Sequence, residues 1–211
     1  MKPMICFIDD SRFEHDLVQN EIAPSAPDLQ FIQAYTFAEA KKLLGDAKPD
    51  LFLLDLWGQD EAVSHPRITP LDEVRKRVAA FPTLDDVYDG LDRFQGDVNN
   101  EYLKRFFSIV DSWRTLFQDV CDNVGQNRKY GLSNLSAARS HFPGTPAVFY
   151  TRKSLIQDAV ALFRAGADGL FIKPTGLDDQ DTRRKTRANA PHLLADLKKI
   201  MTDHEQKVSS Q

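Results

Sequence analysis

The sequence predicts an α/β fold, a five-stranded doubly wound parallel sheet carrying an α-helical insertion. Three observations carry that prediction. Five short apolar runs are separated by stretches whose apolar residues recur at helical spacing. The most apolar of the runs read as buried on both faces, as parallel strands are. One long stretch, from about Gln59 to Lys129, breaks the alternation and shows only helix-spaced apolar residues.

The runs are Met4–Ile8, Gln30–Ala34, Leu51–Leu54, Ala147–Tyr150 and Gly169–Ile172. Their length, their β-branched and aromatic content and the flanking Pro, Asp and Gly favour strands over helices. After the first, Phe13, Leu17, Val18 and Ile22 form a helical stripe with Ser11 as its N-cap. After the second, Phe37, Ala40, Leu43 and Leu44 follow Thr36, and Glu39 completes a capping box. Leu155, Ala159, Leu162, Phe163 and Ala165 form a stripe ending at Gly166, a natural C′ residue. Leu193, Leu194, Leu197 and Ile200 form the last, preceded by Pro191. Strands alternating with helices imply right-handed crossovers and helices on both faces of the sheet.

Inside the long interruption, Val87, Leu91, Phe94, Val98, Tyr102, Phe106, Ile109, Trp113, Phe117, Val120 and Val124 repeat at spacings of three and four. One continuous helix over 84–124 would extend roughly 60 Å, far beyond a typical globular helix. Gly96 and the pair Asn99-Asn100 are natural breaks, so two antiparallel helices are expected. Gln59–Pro82, polar with three prolines, reads as an extended or partly helical lead-in. The stripe is foremost a packing surface, with a partner-binding or dimerising face as the alternative.

Composition narrows the function classes. Of 211 residues, 42% are hydrophobic and 27% charged, which is ordinary for a globular chain. The net charge of −4 gives no basic field for nucleic acid. Cys6 and Cys121 cannot build a disulfide framework and read as buried thiols in a reducing compartment. The N-terminus is not a signal peptide, and no apolar stretch approaches a membrane span. A cytoplasmic protein is expected, with no nucleic acid and no membrane as partner. The scattered histidines offer no zinc site.

In an open parallel sheet, side chains that converge in space are those at the carboxyl ends of neighbouring strands. Here those ends are Asp9 and Asp10, Asp55, Thr151 and Lys173. Each alone has a dull explanation as a turn, a cap or a solvated terminus. As a set they fit one chemistry. Adjacent carboxylates suit a hard divalent cation such as Mg²⁺, which would also offset their repulsion. Asp55 could then attack phosphorus and carry an acyl phosphate. Thr151 would hydrogen-bond a phosphoryl oxygen, and Lys173 would neutralise developing charge.

These residues resemble the receiver domain of two-component response regulators, a chemotaxis-receiver-like, flavodoxin-like fold. The matching pieces are FIDDS, with Asp9 and Asp10 as the acidic pair; LFLLDLW, with Asp55 as phosphoacceptor; PAVFYTRK, with Thr151 as switch hydroxyl; and AGADGLFIKP, with Lys173. The resemblance covers residues 4–57 and about 131–204, with Gly131-Leu132 opening the third receiver helix and Leu135 and Ala138 on its core face. It implies a single receiver-like domain over 1–211 with a helical insertion at about 58–130. It also implies Mg²⁺ held by Asp9, Asp10, Asp55 and Trp57, and a cis Lys173-Pro174 bond. Its partners would be a sensor histidine kinase or phosphotransfer protein and a downstream protein, with a possible homodimer through the insertion. Such a chain is a phosphoacceptor and not an enzyme.

Three departures bear on mechanism. Trp57-Gly58 and the insertion replace the usual short turn after the phosphoacceptor. Arg152 and Lys153 follow the switch hydroxyl where a small residue is usual; Arg152 could shield an acyl phosphate or pair with Asp60 or Glu61. Leu170 occupies the aromatic switch position, so signalling is expected to run through the insertion, with its docking changing on phosphorylation. No histidine lies in 83–128, which excludes a histidine phosphotransfer module, and His65 reads as a surface residue. The segment TGLDDQDTRRKTRANA is expected to be a solvated loop, and the tail after Asp203 disordered. The alternative function is a phosphorylation-independent adaptor working through the insertion. A haloacid-dehalogenase-type phosphatase is set aside, since its Asp-x-Asp nucleophile motif belongs on the first strand and its acidic pair last.

Overall fold

The computed structural model describes residues 2–59, 65–152 and 156–209. The chain divides into two compact units, Met1–Gln59 with Asn127–Gln211, and Asp60–Gln126.

The first unit is built on a five-stranded parallel sheet of β1 (Met4–Ile8), β2 (Gln30–Ala34), β3 (Leu51–Leu54), β6 (Ala147–Thr151) and β7 (Gly169–Ile172). Their order is β2-β1-β3-β6-β7, with every pairing parallel. The expected strands recur at their expected positions because each is a run of apolar residues long enough for a strand and too short for a helix. The chain switches direction at β1, so the crevice opens at the carboxyl ends of β1 and β3.

Alternation along the strands sorts the core into two layers. Ile5 and Phe7 of β1, Leu51 and Leu53 of β3, and Val148 and Tyr150 of β6 face a layer completed by Val18 and Ile22 and by Leu193, Leu194, Leu197 and Met201. On the other face Phe52 packs against Phe37 and Phe142. Helix α1 (Arg12–Leu17) runs into a π-helical turn, Val18–Ile22. Ser11 occupies the N-cap position, but its hydroxyl makes no capping bond. Helix α2 (Phe37–Leu44) is capped as expected, the Glu39 N–H donating to Thr36 Oγ1. Helix α6 (Lys129–His141) buries Gly131, Leu135 and Ala138. Helix α7 (Ile156–Arg164) ends at Gly166, whose φ of 88° supplies the left-handed residue foreseen there.

The C-terminal region overturns three expectations. Helix α8 runs unbroken from Asp179 to Ser209, so the solvated loop and the disordered tail after Asp203 are both replaced by helix. Pro191 lies inside it, not before it. Tertiary contacts outweigh the proline: Ala190, Leu193, Leu194, Leu197 and Met201 are buried, and Arg187 pairs with Glu21 at 2.7 Å. The Asp181 N–H donates to Asp178 Oδ1 and fastens the start of the helix. The basic cluster is therefore locally neutralised, Arg183 against Asp16 and Lys185 against Asp181. Finally, no peptide bond among the described residues is cis, so Lys173-Pro174 is trans, the form X–Pro bonds intrinsically favour.

The second unit holds α3 (Leu71–Ala79), α4 (Leu84–Tyr88) and α5 (Val98–Asn123). The helix-spaced stretch is two helices and not one continuous helix, as expected, but they are unequal, α4 with 5 residues and α5 with 26. The break falls at 89–97, which includes the expected Gly96 but ends before Asn99-Asn100, because Gly90 takes φ 65° and Asp97 caps α5 by accepting from the Asn100 N–H. Thr83 and Asp86 form a reciprocal capping box on α4. The interruption is not strandless either: Gly58–Gln59 (β4) and Gln126–Asn127 (β5) form a two-stranded sheet. His65 is exposed, as expected. Among the described residues no helix is long and apolar enough to cross a membrane.

Candidate functional site

Main-chain hydrogen bonds extend past the strand ends and fix where the polar residues begin. The Asp9 N–H donates to Ala34 O, the Asp55 N–H to Ile8 O at 2.8 Å, and the Lys173 N–H to Thr151 O. Parallel register thereby carries Asp9 and Asp10, Asp55, Thr151 and Lys173 to one end of the sheet. One carboxylate oxygen from each of Asp9, Asp10 and Asp55 lies within 4.8 Å of the others. The residues singled out from the sequence do meet.

Lys173 ties the cluster together. Its Nζ donates to Asp9 Oδ2 and, at 3.0 Å, to Asp55 Oδ1. It is only 3% exposed, against 1% for Asp9 and 6% for Asp55. Burial pushes the Asp9 carboxyl up to about 7, with Lys173 opposing and Asp55 reinforcing the rise. Burial likewise raises Asp55, against the pull of Lys173 and Thr151. Burial alone would lower the Lys173 ammonium, but Asp9, Asp55 and Glu14 outweigh it and hold it above its usual range. The Thr151 hydroxyl is buried and close enough to Asp55 to favour its charged form, yet it makes no hydrogen bond of normal geometry.

Glu14 is the member that the sequence reading missed. It is buried on α1, 3.6 Å from Lys173 Nζ. Its spacing of four from Asp10 was the available signal, since one helical turn brings it back over the strand end. Arg152 is the second surprise. Asp60, Glu61 and Lys153 lie outside the described residues; among the described residues Arg152 donates through Nε to Glu14 Oε1 at 2.8 Å. Its Nη1 donates to Pro174 O and to Thr175 Oγ1. It thus fastens the end of β6 to α1 and to the chain after β7. Four carboxylates against two cations leave the group negative, and its donors are all hard oxygens, which suits a divalent cation.

Two glycines allow the approach. A Cβ on Gly131 would fall 2.6 Å from Asp55 O, so only glycine lets α6 start against the end of β3. A Cβ on Gly58 would meet the Tyr130 ring at 2.5 Å. Tyr130 donates to Tyr35 O, and burial together with Asp9, Asp10 and Asp55 raises its phenol above the ordinary range. The Gln59 N–H donates to Asp10 Oδ2 at 2.8 Å, which links the acidic pair to the last residue before the insertion. His15 Nε2 lies 2.8 Å from Asp9 O, so that nitrogen carries the proton and steadies the Asp9 main chain. Trp57 is buried two residues beyond Asp55, and Leu170 is half-buried on β7.

No family model matches the chain, and no curated protein does. Solved structures do. Brucella abortus NtrX matches with TM-score 0.53 and 17% identity over 100% of this chain and 30% of its own. The fold is that of a response regulator receiver domain. A CheY-like receiver domain protein from Methanospirillum hungatei JF-1 is also similar, at 14% identity over 98% of this chain and 99% of its own, TM-score 0.49. So is a response regulator from Thermotoga maritima, at 17% identity over 96% and 99%, TM-score 0.48. The flavodoxin-like sheet order expected of a receiver is therefore present, and its acidic strand ends can hold a metal.

Proposed function

We propose that the chain is a phosphoacceptor signalling protein, a stand-alone response regulator that takes a phosphoryl group onto Asp55. One observation carries the reading: Lys173, buried, bridges Asp9 and Asp55 beside a buried Thr151 hydroxyl that makes no hydrogen bond of normal geometry among the described residues. A lysine so placed can follow charge as it moves from carboxylate to phosphoryl oxygen. The Thr151 hydroxyl has an acceptor to gain when a phosphoryl group arrives.

The donor is a phosphohistidine of a sensor kinase or phosphotransfer protein, or a small acyl phosphate. A carboxylate oxygen of Asp55 attacks phosphorus, the bond to the donor nitrogen or oxygen breaks, and an acyl phosphate forms on the protein. Asp9, Asp10 and Asp55 would hold Mg²⁺, with Trp57 contributing its main-chain carbonyl, since an indole is no ligand for a hard cation. When bound, the cation supplies charge neutralisation for the anionic donor. Lys173 orients Asp55 and stabilises the charge on the transferred group. Thr151 receives it as hydrogen-bond donor. Downstream action is by contact with another protein in the cytoplasm, with no catalytic turnover of a substrate.

Intact mass after incubation with acetyl phosphate and Mg²⁺ tests this. Wild type gains one phosphoryl adduct, and Asp55→Ala gains none. A wild-type chain that neither acquires an adduct nor responds to a beryllofluoride analogue would point to the adaptor reading instead. Gln59 borders both Asp10 and the insertion, so phosphorylation is expected to change hydrogen exchange across 65–126. Unchanged protection there would remove the insertion from the signalling route.

A further inference from the structure

Helix α5 is apolar on two sides. Its own unit buries one of them and leaves the other about half exposed, with the Phe81 ring, 5.3 Å from that of Trp113, against it among the described residues. Tyr102, Ile109 and Val120 are half-buried and Leu116 is buried, along one side. On the adjoining side Leu103, Phe106, Val110 and Trp113 are 49%, 40%, 50% and 52% exposed, with Phe107 beside them at 59%. Their spacing is three, four, three, and Phe117 continues it by four. That alternation keeps side chains on one straight seam of an under-wound helix, the pattern by which one helix lies along another. Scattered surface apolar residues have no reason to keep it.

We infer that this seam is a self-association surface, and that its occupant is α5 of a second copy of this chain. Area is the first argument. An aromatic side chain offers about 150–250 Å², so five half-exposed side chains present roughly 400–500 Å² per chain. That is as large as the largest apolar patch of a typical monomer. An isologous pair counts it twice and reaches about 1,000 Å² with its margins, the floor for a specific interface. Charge is the second argument. A partner of opposite charge would ask for a rim of one sign, but here the rim mixes Lys104, Asp111 and Arg114. Arg114 already pairs with Asp111 at 3.2 Å, and Lys104 lies 3.8 Å from Glu101. A mixed, self-neutralised rim meets its own copy without repulsion. The inference does not depend on the phosphoacceptor reading.

Sedimentation velocity of the full chain from about 1 to 100 μM tests it. The expected result is a concentration-dependent shift from 23.9 kDa to twice that mass. Val110→Asp and Phe107→Ser should each weaken association at least tenfold while leaving the circular dichroism spectrum unchanged, because both side chains face solvent in the single copy. Val160→Asp changes an equally exposed apolar residue, 48%, on α7, and should leave association as it was. Val110→Cys, in a chain whose own Cys6 and Cys121 are buried, should cross-link to its copy under mild oxidation. A chain that stays monomeric at 100 μM, or a Val110→Asp variant that dimerises like wild type, overturns the inference. In that event a different protein is the occupant of the seam.

Discussion

The strands of the sheet unit and the long helix of the insertion carry similar side chains and treat them in opposite ways. Leu51, Phe52, Leu53 and Leu54 of β3 are all 0% exposed. Leu103, Phe107 and Val110 of α5 stand about half in water. The difference is geometric. A central parallel strand has a helical layer on each face, so every side chain is covered whichever way it points. In the small unit of α3, α4 and α5 the described residues bury one side of α5 and leave the apolar residues beyond it about half exposed. The apolar residues of β3 therefore serve stability, while the exposed ones of α5 are placed to serve the proposed contact.

The largest effect that would sharpen this contrast is Leu53→Ala. Removing a fully enclosed leucine should cost about 3–5 kcal/mol in urea denaturation. Val110→Ala, assayed at low concentration, should stay within about 0.5 kcal/mol. Comparable losses would show that α5 is as enclosed as β3 and would break the comparison.

The second effect belongs to the acidic cluster of the sheet unit. Asp9 is raised from 3.8 to about 7 by burial, so the folded protein holds that proton where the unfolded chain has released it. The stability this contributes is complete below about pH 4 and is lost as pH rises to about 7. Without divalent cation the melting temperature should therefore fall between pH 5 and 8. Mg²⁺ should raise it most at pH 8, where the carboxylates are charged. A flat profile with no response to Mg²⁺ would mean the three carboxylates do not act as one site.

The smallest effect is one on which the two units should agree. Thr36 caps α2 by accepting from the Glu39 N–H at 3.2 Å, and Thr83 caps α4 by accepting from the Asp86 N–H at 3.3 Å. Each Thr→Ala change should cost about 1 kcal/mol, read from thermal unfolding or local amide exchange. A much smaller loss at Thr83 would mark α4 as held by packing alone.

Much of the site was legible because it needs only two facts, where strands end and which residues stand there. Asp55 follows four consecutive apolar residues, and Lys173 follows GLFI; parallel pairing does the rest. Glu14 was missed: its spacing of four from Asp10 is a weak signal, and the pitch and direction of α1 decide that it returns to Lys173. Arg152 was read as a cation near the site, able to shield it or to pair with Asp60 or Glu61, which lie outside the described residues. A partner it has among the described residues, Glu14, lies 138 residues away, and no local pattern announces it. The extent of α8 was hidden by Pro191 and the charged run before it. Local propensity opposed a helix there, while burial of Leu193, Leu194 and Leu197 against the sheet outweighed it.

By itself the sequence determined the strand positions, the interruption after β3 and the five polar residues at the strand ends. Apolar runs and their punctuation are local, and local chemistry writes them directly into the chain. Tertiary structure alone decided that Glu14 and Arg152 would pair beside Lys173, that α8 would run through its proline, and that α5 would expose a seam. Each of these depends on which surfaces are already covered by something else, and no window of sequence contains that.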